Sequence, residues 1–197
     1  MFQLGKILLL STVSVLGTAS VAANAIGNSL ATFQCVAGNA MGLAIVTVVS
    51  QCVGAGDYGK ARTYTKKLIK AAYAAMDLCI LLVYLSMPLV LRLYNVSPEA
   101  EGYARQIVWL HGFMGMLFWP LSFTLPQALR AAGDTRFTMV VSSVSMWTMR
   151  VGFGVLLGRV LGFGVLGIWM AMFADWLLRI AFFLPRFRGH KWETMAL

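Results

Sequence analysis

Apolar residues run along this chain in long blocks, and the charged residues fall between the blocks. No Asp, Glu, Lys or Arg occurs from residue 7 to residue 56. As one helix that stretch would extend about 75 Å, against a hydrocarbon core of about 30 Å, so it must cross a bilayer twice. Asn24 and Gly27 place the turn within residues 23–27. The remaining apolar blocks complete a set of six spans, at 7–23, 28–53, 71–91, 107–129, 137–157 and 163–184. The pattern predicts an all-α membrane protein, a single transmembrane domain over residues 1–197.

The charges between spans orient the bundle. Lys6, Lys60, Arg62, Lys66, Lys67, Lys70, Arg130, Arg136, Arg186, Arg188 and Lys191 fall on one side. Arg92, Arg105 and Arg159 fall on the other, beside Glu99 and Glu101. By the excess of Lys and Arg in cytoplasmic loops, both termini are expected in the cytoplasm. A rival reading takes the opening as a signal peptide, with Ser20-Val21-Ala22 as the cleavage site. Against it, the apolar stretch continues without charge, and removal would leave five spans and reverse the charge asymmetry.

Composition narrows the class further. Hydrophobic residues make up 59% and charged residues 12% of the 197, with mean hydropathy +0.77. A soluble domain of this size could not hide so much apolar surface. The net charge of +9 comes from clusters separated by apolar spans, not from one basic face, so nucleic acid is not the expected partner. The three cysteines, Cys35, Cys52 and Cys79, sit in apolar stretches without a CxxC pair, and read as small buried hydrophobes. No HExxH, GxSxG or phosphate-binding loop appears, so neither enzyme activity nor a metal or cofactor is expected.

Two turns share one design. Gln51-Cys52-Val53-Gly54-Ala55-Gly56-Asp57 closes the second span, and Gln127-Ala128-Leu129-Arg130-Ala131-Ala132-Gly133-Asp134 closes the fourth. In each, a Gly can take the left-handed conformation that ends a helix, and the Asp after it is expected to cap the next one. On the opposite side Ser97 is expected to cap, Pro98 to open and Glu99 to favour the positive end of a helix.

These residues carry a resemblance. Val49-Ser50-Gln51-Cys52-Val53-Gly54-Ala55-Gly56-Asp57, followed by Ala61, resembles the loop between the second and third helices of a lobe in the multidrug and toxic compound extrusion (MATE) family. The segment from Leu129-Arg130-Ala131-Ala132-Gly133-Asp134 to Phe137 resembles that family's motif after the tenth helix. Trp147, Arg150-Val151, Gly167-Ile168-Trp169-Met170-Ala171, Asp175, Arg179, Arg186-Phe187 and Lys191-Trp192 resemble its last two helices. The likeness runs along essentially the whole chain. It implies the C-terminal six-helix lobe of a twelve-helix fold, with the first helix cut short and an N-terminal lobe or a second chain needed beside it. It further implies a multi-pass protein of a bacterial-type plasma membrane that exchanges H+ or Na+ for small cationic, apolar drugs. One branch of the family carries a cation-binding Asp eleven residues before the Arg of the tenth-helix motif; here that position is Trp119. Two further readings stand beside this one: a lipid-linked precursor flippase of the same superfamily, and a membrane fragment that does not transport.

Polar residues within the spans are the candidates for the transport pathway. Asp175 and Arg179 stand four apart in the order that favours a same-face pair. Each would cost about 2.5–3.5 kcal/mol at the bilayer centre, against about 5 returned by the span's Val, Leu, Ile and Phe residues. Pairing, or a transport role, would account for them. Arg150 must face protein or water, as a hydrogen-bonding anchor or a cavity residue. Asp77 reads as a proton carrier or a packing contact, and His111 as a titrating group or a solvated side chain near the outer interface. Asn24, Asn28, Thr32, Cys35 and Asn39 share one face of the second span and suit either a wet cavity or close helix approach. Pro120 and Pro126 should kink the fourth span and free carbonyls near Met116 and Ser122, amid the rings of Trp109, Phe113, Phe118, Trp119 and Phe123.

Overall fold

The computed structural model describes residues 2–195, and the Lys6 side chain, counted above at the cationic end, lies outside the described set. Six helices follow one another: α1 (Phe2–Ser14), α2 (Thr18–Gly54), α3 (Tyr58–Tyr94), α4 (Pro98–Ala131), α5 (Thr135–Val160) and α6 (Gly164–Arg188). A short 3-10 turn, Lys191–Thr194, ends the described chain, and no strand occurs among the described residues. The protein is an all-α membrane protein. The last five helices are long and apolar enough to cross a bilayer. α1, with 13 residues, reaches about 20 Å, short of the hydrocarbon core.

The first turn lies elsewhere than residues 23–27. α2 runs unbroken through that segment, and the chain bends at Gly17, whose φ of 100° is open to glycine and strained for other residues. The polar residues that suggested a break are satisfied inside the helix. Asn28 donates to the Asn24 carbonyl at 2.8 Å, and Asn24 Oδ1 accepts from Trp169 Nε1 at 3.1 Å. Gly27 permits close approach rather than a turn: a Cβ there would lie 2.6 Å from Ile107 Cγ2.

The two hairpin turns have the same hydrogen bonds. Asp57 N–H donates to the Cys52 carbonyl and Gly56 N–H to the Val53 carbonyl; Asp134 N–H donates to Leu129 and Gly133 N–H to Arg130. Gly56 and Gly133 are both left-handed, with φ of 73° and 90°. The expected caps divide. Asp57 accepts from Lys60 N–H at 2.8 Å, whereas the Asp134 carboxylate turns away from its helix and holds Arg186 Nε at 2.7 Å. At the other end Ser97 caps through Ala100 N–H, with Pro98 opening α4 as the pattern requires.

α4 answers Pro120 with a π-helical turn, Pro120–Thr124, rather than with a simple break. Nearby carbonyls find side-chain donors: Tyr73 Oη reaches Leu117 O at 3.0 Å and Ser122 Oγ reaches Phe118 O at 3.0 Å. α5 carries two further π-helical turns, Met146–Gly152 and Leu156–Val160. Two apolar clusters fill the bundle. One joins Ile26, Met76, Ile80, Ile107, Trp169 and Trp176; the other, toward the cationic end, joins Ile45, Val49, Leu125, Leu129, Phe183 and Trp192. Outside, Leu78, Leu82, Leu85, Leu89 and Leu93 line an exposed face of α3 at helical spacing, which suits lipid. All three cysteines are free thiols.

Candidate functional site

Two polar clusters and a cavity lie among the spans. In the first, Arg179 Nε donates to Asp175 Oδ1 at 2.9 Å, and both side chains are almost fully buried. Ser145 Oγ, from α5, donates to the same carboxylate oxygen. Arg179 also donates to the Ser142 carbonyl at 3.3 Å and lies 4.9 Å from the Phe123 ring centre. The helical spacing of four thus brings the two charges together, and α5 supplies neutral partners from its inward face. Asp175 Oδ2 and Ser142 Oγ are buried without a hydrogen-bond partner among the described residues.

The second cluster joins α2, α4 and α6. His111 Nδ1 donates to Gln34 Oε1 at 2.6 Å, and Gln34 Nε2 donates to the Val108 carbonyl at 3.3 Å. The His111 ring meets Trp169 and Trp176 edge-on, at centroid distances of 5.6 and 5.4 Å. His111 is 4% exposed, so it is a core histidine and not the solvated interfacial one expected. The glycine at 112 makes this possible: a Cβ there would fall 2.2 Å from Tyr84 Oη and 2.8 Å from Gln34 Nε2.

Elsewhere α1, α2, α5 and α6 line a partly open cavity of about 270 Å³, walled by Val13, Asn24, Asn28, Arg150, Trp169 and Met172 among others. Arg150 comes from the first π-helical turn of α5, a local widening that shifts the register of the side chains after it. Its guanidinium has no ion pair or hydrogen bond to the described residues, though it lies within electrostatic range of both Asp175 and His111. Two amide side chains and one cation among apolar walls make this a polar recess among helices long and apolar enough to span a bilayer.

The cationic end is tied down separately. Arg62 Nη2 holds Glu193 Oε1 at 2.6 Å, and Arg62 also donates to the carbonyls of Arg188 and Gly189. Trp192 stacks on Phe187 at 5.6 Å. Burial works to raise the Glu193 carboxyl, but hydrogen bonds from His190 and Arg62, with the charge of Arg62, leave it below its ordinary value. Asp57 is likewise lowered, chiefly by its hydrogen bonds from Lys60.

The MatE family model matches residues 1–156, which include both hairpin turns, Arg150 and most of the cavity wall. The chain belongs to the MatE family. It is 23% identical over 197 residues to a probable multidrug resistance protein NorM of Thermotoga maritima, covering all of this chain and 42% of that one. It is 22% identical to an uncharacterized transporter YisQ of Bacillus subtilis, over 97% of this chain and 42% of that protein. A probable multidrug resistance protein YoeA of the same organism is 23% identical over 90% of this chain and 39% of its own length. The chain therefore spans about two-fifths of the length of these curated relatives. No solved structure gives a significant match.

Within this MatE chain the candidate residues separate. Asn28 and Arg150 share the cavity, while Asp175 and Arg179 form a separate buried ion pair. Asn39 is exposed on α2 and is not part of the cavity wall or of either polar cluster's hydrogen bonds. Trp119 is 7% exposed and stacks on Phe123 at 5.1 Å, packed over Gly38 rather than opening a channel. Asp77 is half-buried on α3, with Oδ1 shielded and without a hydrogen-bond partner among the described residues. Gln51, Gly54, Gly56 and Asp57 build one hairpin turn; Arg130, Gly133 and Asp134 build the other, where Arg130 Nε reaches Thr138 Oγ1 at 3.3 Å. Gln34, Ser142 and Ser145 were not among the expected site residues. Gln34 does carry a signal, since it lies on the same α2 face as Gly27 and Gly38.

Proposed function

We propose that this chain is one six-helix lobe of an antiporter that exports small apolar, cationic drugs in exchange for H+ or Na+, working beside a second lobe. The family membership and the multidrug names of two relatives support the reading. The observation that carries it is the recess formed by Asn24, Asn28 and Arg150 at membrane depth, because a polar cavity inside a bundle is where a transported solute would pause. In this reading both termini lie in the cytoplasm of a bacterial-type plasma membrane, with the cationic end facing inward. Arg150 repels a positive centre and favours an acceptor on the solute. The solute therefore meets Arg150 through a carbonyl, hydroxyl or ether group, and its cationic centre lies away from the recess.

The same lone guanidinium is the one feature that favours a second reading, a flippase for lipid-linked precursors, whose substrates carry phosphate. Efflux of ethidium from cells that lack their own drug pumps separates the readings. Expression of the chain together with a second lobe should speed efflux, Arg150→Met should slow it, and expression of the paired lobes without any effect on efflux would remove the antiporter reading.

A further inference from the structure

A groove of about 420 Å³ opens between α3, α4 and α6 at the cationic end, far along the bundle from the polar recess. Lys66 and Lys70 stand one turn apart on its α3 rim, and Arg188 stands on its α6 rim. All three are exposed, and none has an acidic partner among the described residues. The nearby acids are already engaged: Asp57 by Lys60, Asp134 by Arg186 and Glu193 by Arg62. Like charges four apart on a helix repel, so Lys66 and Lys70 gain from a shared counter-ion. The floor between the rims is apolar, built by Leu121, Leu125 and Leu184.

We propose that this groove binds an anionic phospholipid, the headgroup phosphate between Lys66, Lys70 and Arg188 and an acyl chain along Leu121, Leu125 and Leu184. A free phosphate would satisfy the cations and leave the apolar floor uncovered; a zwitterionic lipid would cover the floor and bring its own cation to the rim. An anionic lipid matches both halves, as basic pockets between transmembrane helices do for phosphate headgroups on the cytoplasmic side. The binding rests on the bundle lying in a bilayer with this end at the headgroups, and it requires no transport.

Electron spin resonance of the full chain in phosphatidylcholine vesicles tests it, with spin-labelled phosphatidylglycerol and spin-labelled phosphatidylcholine as the two probes. The fraction of each label slowed by the protein gives its relative association. The chain should prefer phosphatidylglycerol, and Lys66→Gln/Lys70→Gln/Arg188→Gln should lower that preference at least about fivefold, the effect of about one basic residue near an anionic surface. Lys67→Gln/Arg136→Gln removes two cations from the same end but outside the groove, and should leave the preference in place. An unchanged preference in the triple variant would overturn the proposal. Equal loss in the control pair would overturn it in favour of diffuse surface charge, and abolition by inorganic phosphate in favour of a free-anion site. A chain that fails to export ethidium beside a second lobe yet keeps the preference would sink the antiporter reading alone.

Discussion

Replacing Asp175 by Asn removes one charge and almost no volume, and its consequence follows from the contacts of Arg179. The wild-type pair is nearly sealed from solvent, with 2.9 Å between Nε and Oδ1. Removing one partner of a buried pair typically costs about 3–5 kcal/mol, because the other charge stays behind. Two contacts soften the loss here: the Phe123 ring at 4.9 Å and the Ser142 carbonyl at 3.3 Å. A desolvated cation over a ring is worth about 2 kcal/mol, so the net destabilisation falls near the lower limit, about 3 kcal/mol. For a chain of this size that lowers the melting temperature by about 6–12 °C. The assay is a thermal melt of purified protein in detergent, followed by circular dichroism and by tryptophan fluorescence. Asp175→Leu/Arg179→Met removes both charges and should recover most of the loss, since apolar replacement of a buried pair is close to neutral. If Asp175→Asn melts with the wild type and instead changes which drugs are exported, the pair is transport machinery and the structural argument fails.

Three further outcomes are expected. Gly38→Ala places a Cβ 2.3 Å from Trp119 Cζ3 and should cost about 1–3 kcal/mol, with Trp119→Phe restoring part of it in the double variant; a silent Gly38→Ala melt would refute the close packing of α2 on α4. Arg150→Met removes a charge without an acid partner, so its melting temperature should equal or exceed that of the wild type even as efflux slows. A clear drop in stability would make Arg150 a structural anchor. Glu193 has its carboxyl lowered from an ordinary 4.5, so the anchoring of the last turn on Arg62 is full above that pH and fades as pH falls through the lower folded value. Protection of the amides of residues 189–195 against hydrogen exchange, relative to the intrinsic rate at each pH, should therefore fall in acid for the wild type, and already be low at neutral pH in Glu193→Gln.

Much of the architecture was legible because membrane insertion writes itself in one-dimensional patterns. Apolar blocks marked the five long helices but not where the first helix ends, and the repeated Gly-Asp endings marked both hairpin turns. The turn at Gly17 was not legible. Asn24 and Gly27 look like turn residues, and only their tertiary partners, Trp169 and Ile107, show them as packing residues inside a long helix. The same holds for Asp134, which has the position of a cap but finds a stronger partner in Arg186 across 52 residues of sequence. At the candidate site the spacing of Asp175 and Arg179 announced their pairing. The serines beneath them, and the glutamine that turns His111 into a core residue, depend on which helices meet. No local period encodes that.

The proposed antiport requires a small apolar cation to bind this lobe in competition with a coupling ion. Equilibrium binding of rhodamine 6G to the purified chain, read by fluorescence polarisation, tests it most directly. Saturable binding that weakens when either Na+ is added or pH is lowered is the predicted result. Binding that never saturates, or that is indifferent to both ions, would contradict the account.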